Sequence, residues 1–439
     1  MNIFDRSLTK CLSSWFKEQE RKPLLLRGAR QVGKSWAVKQ WCKNASLNLI
    51  TINFEERPQL ATIFEQDRDT KRILNELSAL TSASMRDPQN VLFFDEVQKA
   101  PKAIEALRYL FENEPKVNVL AAGSLVEFVL EEHGLPVGRV QSQFVFPLTF
   151  VEFLTALNKK GLSNIIEEFD LNKPLPIPQV IHKEILSYLK LYFRVGGMPR
   201  VVSTYLANLD LLKATEEQAV LISGYVDDLR KYAKKTDWVL LETILLKMGA
   251  LAGNGQVKFS SIDSGAKSPQ VRRALNALCH ALVLHKIAPT TATVPPLPAH
   301  ASDKKFKLAF LDVGLLHHIL GFDWGRLSPD ADLSDVAEGR FAEQFVAQEL
   351  IATRSDFSRY NLHFWERAKA GSDAEVDFVI ERENSVIPIE VKSGAKGRLR
   401  SLAKYIEEMK PKQAIVLSQR NVEKMDNITF LPLYLACRL

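Results

Sequence analysis

The sequence predicts an α/β protein of several domains, and three stretches carry that reading. Gly28-Ala29-Arg30-Gln31-Val32-Gly33-Lys34-Ser35 fits the spacing G-x-x-x-x-G-K-[ST], a loop that wraps phosphate. Val91-Leu92-Phe93-Phe94-Asp95-Glu96 is an apolar strand that ends in two acids. Asp373 to Lys392 reads as an acidic hairpin closing on Glu390-Val391-Lys392, the spacing D-x(n)-E-x-K. The first two belong to one parallel-sheet core. The third lies far downstream and calls for a second α/β unit.

The chain has 439 residues, enough for two to four domains at about 100–200 residues each. Hydrophobic residues make up 46% and charged residues 25%, enough apolar material for a buried core throughout. The net charge of +6 is compatible with a nucleic-acid partner without requiring one. Cys11, Cys42, Cys279 and Cys437 are scattered, with no C-x-x-C pair. That pattern argues for a reducing compartment and against a zinc site or a disulfide framework. No apolar run is long enough to span a bilayer, and Met1 to Glu20 lacks the order of a signal peptide. A cytoplasmic location with no membrane partner is the expectation. Ile3, Phe4, Leu8, Leu12, Trp15 and Phe16 alternate with polar residues as on an amphipathic helix packed on the next domain.

Pro23-Leu24-Leu25-Leu26 reads as a buried strand, and Trp36 to Trp41 as a helix. Strand, glycine turn and helix are what phosphate binding needs. Gly28 and Gly33 let backbone approach the anion, and the N–H groups at the helix start point at it. Lys34 would reach the outer phosphates of ATP, and Ser35 would ligate Mg²⁺. Asn48 to Phe54 is a second strand, and Leu60 to Leu80 looks helical. Asp95 would then hold Mg²⁺ through water while Glu96 orients the attacking water. Val117 to Ser124 is another buried strand, and Ser124 either faces the phosphates or caps a helix from Leu125 to Glu132. Arg139 precedes an expected strand over Phe144 to Phe150, a place from which an arginine stabilises phosphoryl transfer.

A proline-rich break over Leu171 to Pro178 is followed by helical spacing in 181–192 and 209–234. Leu240 to Leu251, Phe259 to Asp263, a helix opened by Ser268 and Pro269, and a strand over Val283 to Ile287 give a winged-helix-like layout. Arg272 and Arg273 would meet DNA from the start of its recognition helix; a protein-packing module is the equal alternative. In the last part Glu338 to Leu350 is helical, and a strand from Asp373 hairpins into Val386 to Lys392. Strand period puts Glu390 and Lys392 on one face. Asp377 and Glu390 would share a metal ion, Glu343 would add a carboxylate from the helix, and Lys392 would stand beside the scissile phosphate, as in PD-(D/E)xK nucleases. Lys396, Arg398 and Arg400 form a basic rim for nucleic acid.

The runs GARQVGKS, VLFFDEVQ, AAGS, GRV and FPLTFVEFL together resemble one prokaryotic family of AAA-type ATPases with a nuclease-like C-terminal domain. Tyr192 to Pro199 (YFRVGGMP) and Lys307 to Leu316 (KLAFLDVGLL) extend the resemblance to nearly the whole chain. It implies that Ser124 senses the γ-phosphate and that Arg139 reaches a neighbour's nucleotide in a homo-oligomer. It also implies that Pro199 lies near the base in a helical lid. The expected domains are a P-loop ATPase core (1–165), a helical lid (166–235), a winged-helix-like segment (236–303) and a restriction-endonuclease-like α/β domain (304–439). Two functions fit. One is an Mg²⁺-dependent ATPase coupled to a nuclease acting on DNA. The other is an ATP-dependent switch whose nuclease-like fold only binds nucleic acid or protein. Two departures bear on the choice: Val376, not proline, precedes Asp377, and Ser401-Leu402-Ala403-Lys404-Tyr405 lacks the glutamine of Q-x-x-x-Y.

Overall fold

A computed structural model describes residues 6–232, 237–252, 255–257, 262, 266–301, 305–321, 335–354, 359–367, 374–394 and 399–439. Residues 1–147, with the short segments 280–282 and 355–359, form one compact unit. The remainder, 148–279, 283–354 and 360–439, forms the other.

The first unit is built on a five-stranded sheet of β1 (Leu24–Arg27), β2 (Asn48–Asn53), β3 (Asn90–Asp95), β4 (Asn118–Gly123) and β5 (Gln141–Phe144). Their order is β2-β3-β4-β1-β5, and each neighbouring pair is parallel. Every residue of β3 and β4 is buried, which is why these strands read as unbroken apolar runs. Each large side chain buried here stabilises by roughly 1.5–3 kcal/mol. The N-terminal helix Ser7–Phe16 buries Leu8, Leu12 and Trp15, and Trp15 meets Trp41 edge to face at 6.3 Å. The helix expected over residues 60–80 is split. A 3₁₀ turn spans Pro58–Phe64 and the helix proper is Thr70–Thr81, because Asp69 caps a new start on Lys71 N–H. The strand expected at 144–150 lies earlier, at β5. Thr149 and Glu152 instead form a reciprocal capping box that starts the helix Phe150–Ala156.

The second unit holds an eight-stranded mixed sheet. Its strands are β6 (Leu284–Thr290), β7 (Lys307–Phe310), β8 (His363–Glu366), β9 (Glu375–Arg382), β10 (Ser385–Val391), β11 (Ala414–Ser418), β12 (Glu423–Met425) and β13 (Ile428–Pro432). The order is β12-β13-β11-β10-β9-β8-β6-β7. The expected hairpin is present, with β9 antiparallel to β10 and Ile389 opposite Phe378. β6, read from sequence as the strand of a winged helix, pairs with β7 and β8 in this sheet. Phe259 to Ser261 and Asp263, the short helix of that layout, lie outside the described residues. No described helix is long and apolar enough to cross a membrane.

Helices Gln179–Val195, Pro199–Asn208, Val313–Ile319 and Asp335–Arg354 pack in the same unit through a buried polar knot. Asp312 Oδ2 accepts from Gly197 N–H at 2.6 Å, and its Oδ1 caps Leu315 N–H at 3.0 Å. Gly196 has φ +74°, and a Cβ there would overlap the Asp312 carboxylate. Gln348 donates to Tyr192 Oη and accepts from Val313 N–H, both at 2.8 Å or less. Tyr192 in turn donates to the Leu148 carbonyl.

Candidate functional site

β1 is buried between β4 and β5, so the point where the chain leaves the sheet is fixed. The next residue is Gly28, where a Cβ would overlap the Val145 carbonyl oxygen. Gln31 and Gly33 take left-handed conformations, φ 63° and 93°. Gly33 caps the helix Lys34–Asn44 without a side-chain bond, so its leading N–H groups are left for an anion. Arg6, which sequence reading passed over, holds the loop from behind: it donates to Val32 O at 3.1 Å and Phe146 O at 2.7 Å.

Lys34 is buried, and its ammonium donates to the carbonyls of Gly28 and Ala29, each at 2.9 Å. Burial pulls its pKa down to about 8, against the pull of Glu96 and Asp95. Phosphate would supply the countercharge that neutral carbonyls do not. Ser35 Oγ donates to Asp95 Oδ1 at 2.8 Å. Burial raises the Asp95 carboxyl, and the Ser35 bond opposes that rise. This hydroxyl–carboxylate pair at the foot of a phosphate cradle fits a hydrated Mg²⁺.

Glu96 follows with φ 52°. Its Oε2 accepts from Gln98 Nε2 at 2.5 Å, an orienting contact that sequence reading missed. Gln98 lies against the tip of β4, where a Cβ on Gly123 would overlap its Oε1. Ser124 comes next. It does not cap the following helix, Val126–His133, whose N-cap is Leu125 with no side-chain bond. Ser124 Oγ and Gln98 Oε1 are both buried without a hydrogen-bond partner among the described residues. Two buried polar atoms, one of them on the side chain that holds Glu96, thus have bonding capacity to spare.

Arg139 is half exposed and ion-paired with Glu112 at 2.8 Å. Gln141 sits level with Leu24 in parallel register. Arg139 therefore lies at the end of the sheet where strands begin, while the phosphate loop lies where they finish. It borders a groove of about 480 Å³ lined by Glu105, Arg108, Tyr109 and Val137.

In the second unit the β9–β10 register, carried one residue on, sets Glu390 opposite Asp377. Asp377 Oδ2 accepts from Val391 N–H at 2.8 Å. Glu390 pairs with Lys392 at 2.6 Å, and burial followed by Asp377 pushes its carboxyl up to about 7. Glu343, from the helix Asp335–Arg354, reaches the same cluster. At the meeting point, however, is the ammonium of Lys307, from β7. It lies 2.5 Å from Glu375, 3.0 Å from Glu343 and 3.5 Å from Asp377, and is almost wholly buried. Burial alone would lower its pKa, but Glu343, Asp377 and Glu375 outweigh that and hold it charged. Lys307 stands where an ion shared by Glu343 and Asp377 was expected, and Glu390 is ion-paired with Lys392. The sequence signal was a lysine heading an otherwise apolar, buried strand.

The other expected residues are dispersed. Pro199 opens its helix beside the turn that Asp312 and Leu148 hold, and those contacts account for the Gly-Gly demand without a nucleotide. Arg273 is paired with Asp237 at 3.1 Å, while Arg272 is exposed on the same helix, Ser268–His280. Arg400 is exposed at the start of the helix Arg400–Met409. Lys396 and Arg398 lie outside the described residues.

Residues 20–154 match the family model of an AAA domain. That match supports an AAA-type P-loop ATPase. Residues 186–326 and 338–436 match two domains of unknown function, DUF8612 and DUF4143. No curated protein matches the chain. Among solved structures, a Walker-type ATPase of Pyrococcus abyssi, PABY2304, shares 18% identity, with 72% of this chain and 96% of that one covered, at TM-score 0.45. The Aeropyrum pernix ORC1 protein in complex with DNA shares 14% identity over 72% and 90% of the chains, TM-score 0.31. Thermotoga maritima RuvB shares 14% over 64% and 90%, TM-score 0.31. Every nucleotide-site residue from Gly28 to Arg139 falls within the AAA match. The acidic cluster is assembled from both other matched regions, since Lys307 lies in the first and Glu343, Glu375 and Asp377 in the second.

Proposed function

We propose that the chain is an Mg²⁺-dependent ATPase that acts as an oligomeric nucleotide switch, its C-terminal α/β part serving as a nucleic-acid-binding module that does not cleave. The Ser35–Asp95 pair beneath the buried Lys34 carries the ATPase reading. In this reading the loop from Gly28 to Ser35 holds the phosphates, Ser35 and Asp95 hold the cation, and Glu96, aimed by Gln98, orients the attacking water. The bound Mg²⁺ supplies neutralisation of charge on the phosphate oxygens. In the same reading the buried Ser124 hydroxyl, unpartnered among the described residues, senses the γ-phosphate, and Arg139 serves a neighbouring copy. Binding rather than cleavage is supported by Lys307 within the carboxylates, and nucleic acid, DNA above all, by exposed Arg272 and Arg400.

Lys34→Ala should lose tight ATP binding, whereas Glu96→Gln should keep binding and lose turnover. Equilibrium binding and steady-state hydrolysis decide it; wild-type turnover in Glu96→Gln would remove Glu96 from the reading. For the module, DNA affinity of Arg272→Ala/Arg400→Ala should fall with a shallower salt dependence. Unchanged affinity and slope would exclude that surface.

A further inference from the structure

We infer that Lys307 is a built-in counter-cation which closes the Glu343–Glu375–Asp377 cluster to divalent metal, leaving a latent ion site that one substitution would open. This deepens the non-cleaving reading above and rests on the same lysine. Cation binding is read without nucleotide or DNA, so the two can fail separately.

Exclusion follows first from space. Oxygen-ligated Mg²⁺ or Ca²⁺ sits about 2.0–2.6 Å from its carboxylates. The Lys307 nitrogen already stands 2.5, 3.0 and 3.5 Å from oxygens of Glu375, Glu343 and Asp377, so an ion and the ammonium would overlap. The lysine has no room to withdraw. It comes from β7, a strand buried along its length, and its side chain is 4% exposed. Its ammonium also lies 5.3 Å from the centre of the Phe364 ring, a further hold on a cation.

Charge agrees with space. Three carboxylates meeting in a half-buried place repel one another, Glu343 being exposed little less than the other two. A cation is needed, and the chain supplies its own. Lys307 contributes a single positive charge. Glu375 and Asp377 shed the rest to solvent, their side chains being 22% and 21% exposed. Glu390, the remaining expected ligand, gives its Oε1 to Lys392 at 2.6 Å and keeps a buried Oε2 with no partner among the described residues. A lysine–carboxylate cluster keeps its charge at any Mg²⁺ concentration, so ligand binding at this face would not respond to chelators.

The test uses full-length, nucleotide-free protein titrated with Mn²⁺, the free ion being followed by electron paramagnetic resonance. Wild type should show no saturable site that depends on Asp377. Lys307→Met, matched in length but uncharged, should gain such a site and lose it again when Asp377→Asn is added. Without metal Lys307→Met should melt below wild type, and Mn²⁺ should raise its melting point while leaving wild type unmoved. A wild-type Mn²⁺ site abolished by Asp377→Asn overturns the inference. So does a folded Lys307→Met that neither binds Mn²⁺ nor is stabilised by it. Should Lys307→Met fail to fold without metal, recovery on refolding with Mn²⁺ supports the inference. No recovery, with Lys307→Arg folding normally, overturns it.

Discussion

Gln98 is the residue whose role is most easily isolated. It touches Glu96 and the tip of β4, and in the proposed reading it acts by aiming Glu96. Gln98→Ala should lower kcat about tenfold or more with KM for ATP nearly unchanged, the signature of an interaction used after binding. A parallel rise in KM in steady-state assays would mean that the loop itself had moved. Glu349 makes a different kind of prediction. Its Oε1 accepts from Phe150 N–H at 3.0 Å, and its Oε2 is buried with no partner among the described residues. Burial pushes its carboxyl up from 4.5 to about 8, and Glu152 adds to the rise. Between those values the folded chain keeps a proton that the unfolded chain has lost. Its contribution is therefore complete below about 4.5 and lost as pH rises through about 8, at up to about 1.4 kcal/mol per pH unit. Glu349→Gln should flatten that part of the slope in denaturant melts across pH 5 to 8, and an identical slope would refute the assignment.

Elements were legible where one physical rule governed them. β3 and β4 are buried on both faces and showed as apolar runs; the phosphate loop showed because glycine spacing and a Lys-Ser pair are demanded together. The shift of β5 and the split helix at Asp69 were hidden, because caps at Thr149 and Asp69 compete with apolar periodicity that continues past them. The acidic hairpin was legible by strand period, but Lys307 was not, since the strand that brings it lies outside the motif and pairs through β6 and β8. The Gly196–Gly197 turn was likewise visible only as a turn; its partner Asp312 is 115 residues away from Gly197. Asp312→Ala would leave the Gly197 and Leu315 N–H groups buried without an acceptor, each costing about 1–3 kcal/mol. A fall in chemical-denaturation stability of about 2–5 kcal/mol is expected, and a loss below about 1 kcal/mol would show that water or Gln348 takes over.

At the scale of the molecule, Arg139 lies at the opposite sheet end from its own phosphate loop, so it serves catalysis only if copies meet head to tail. Lys34→Ala and Arg139→Ala proteins, each inactive alone, should recover part of the ATPase rate when mixed. No recovery, together with a monomeric mass at saturating ATP, would count against assembly through Arg139. The two units also differ in how far along the chain their contacts reach. All five strands of the nucleotide sheet fall between residues 24 and 144. The other unit is closed by distant partners: Ile177 N–H bonds Asn421, 244 residues on, and Arg438 bonds the Phe169 carbonyl, 269 residues back. At about 5–20 residues per second, a ribosome needs roughly 15–60 s to synthesise the stretch from residue 148 to residue 439. The nascent chain can thus fold its phosphate cradle while β6 to β13 are still being made. During that interval the half-made second sheet presents unpaired apolar edges, the period when a holding chaperone matters most to its yield.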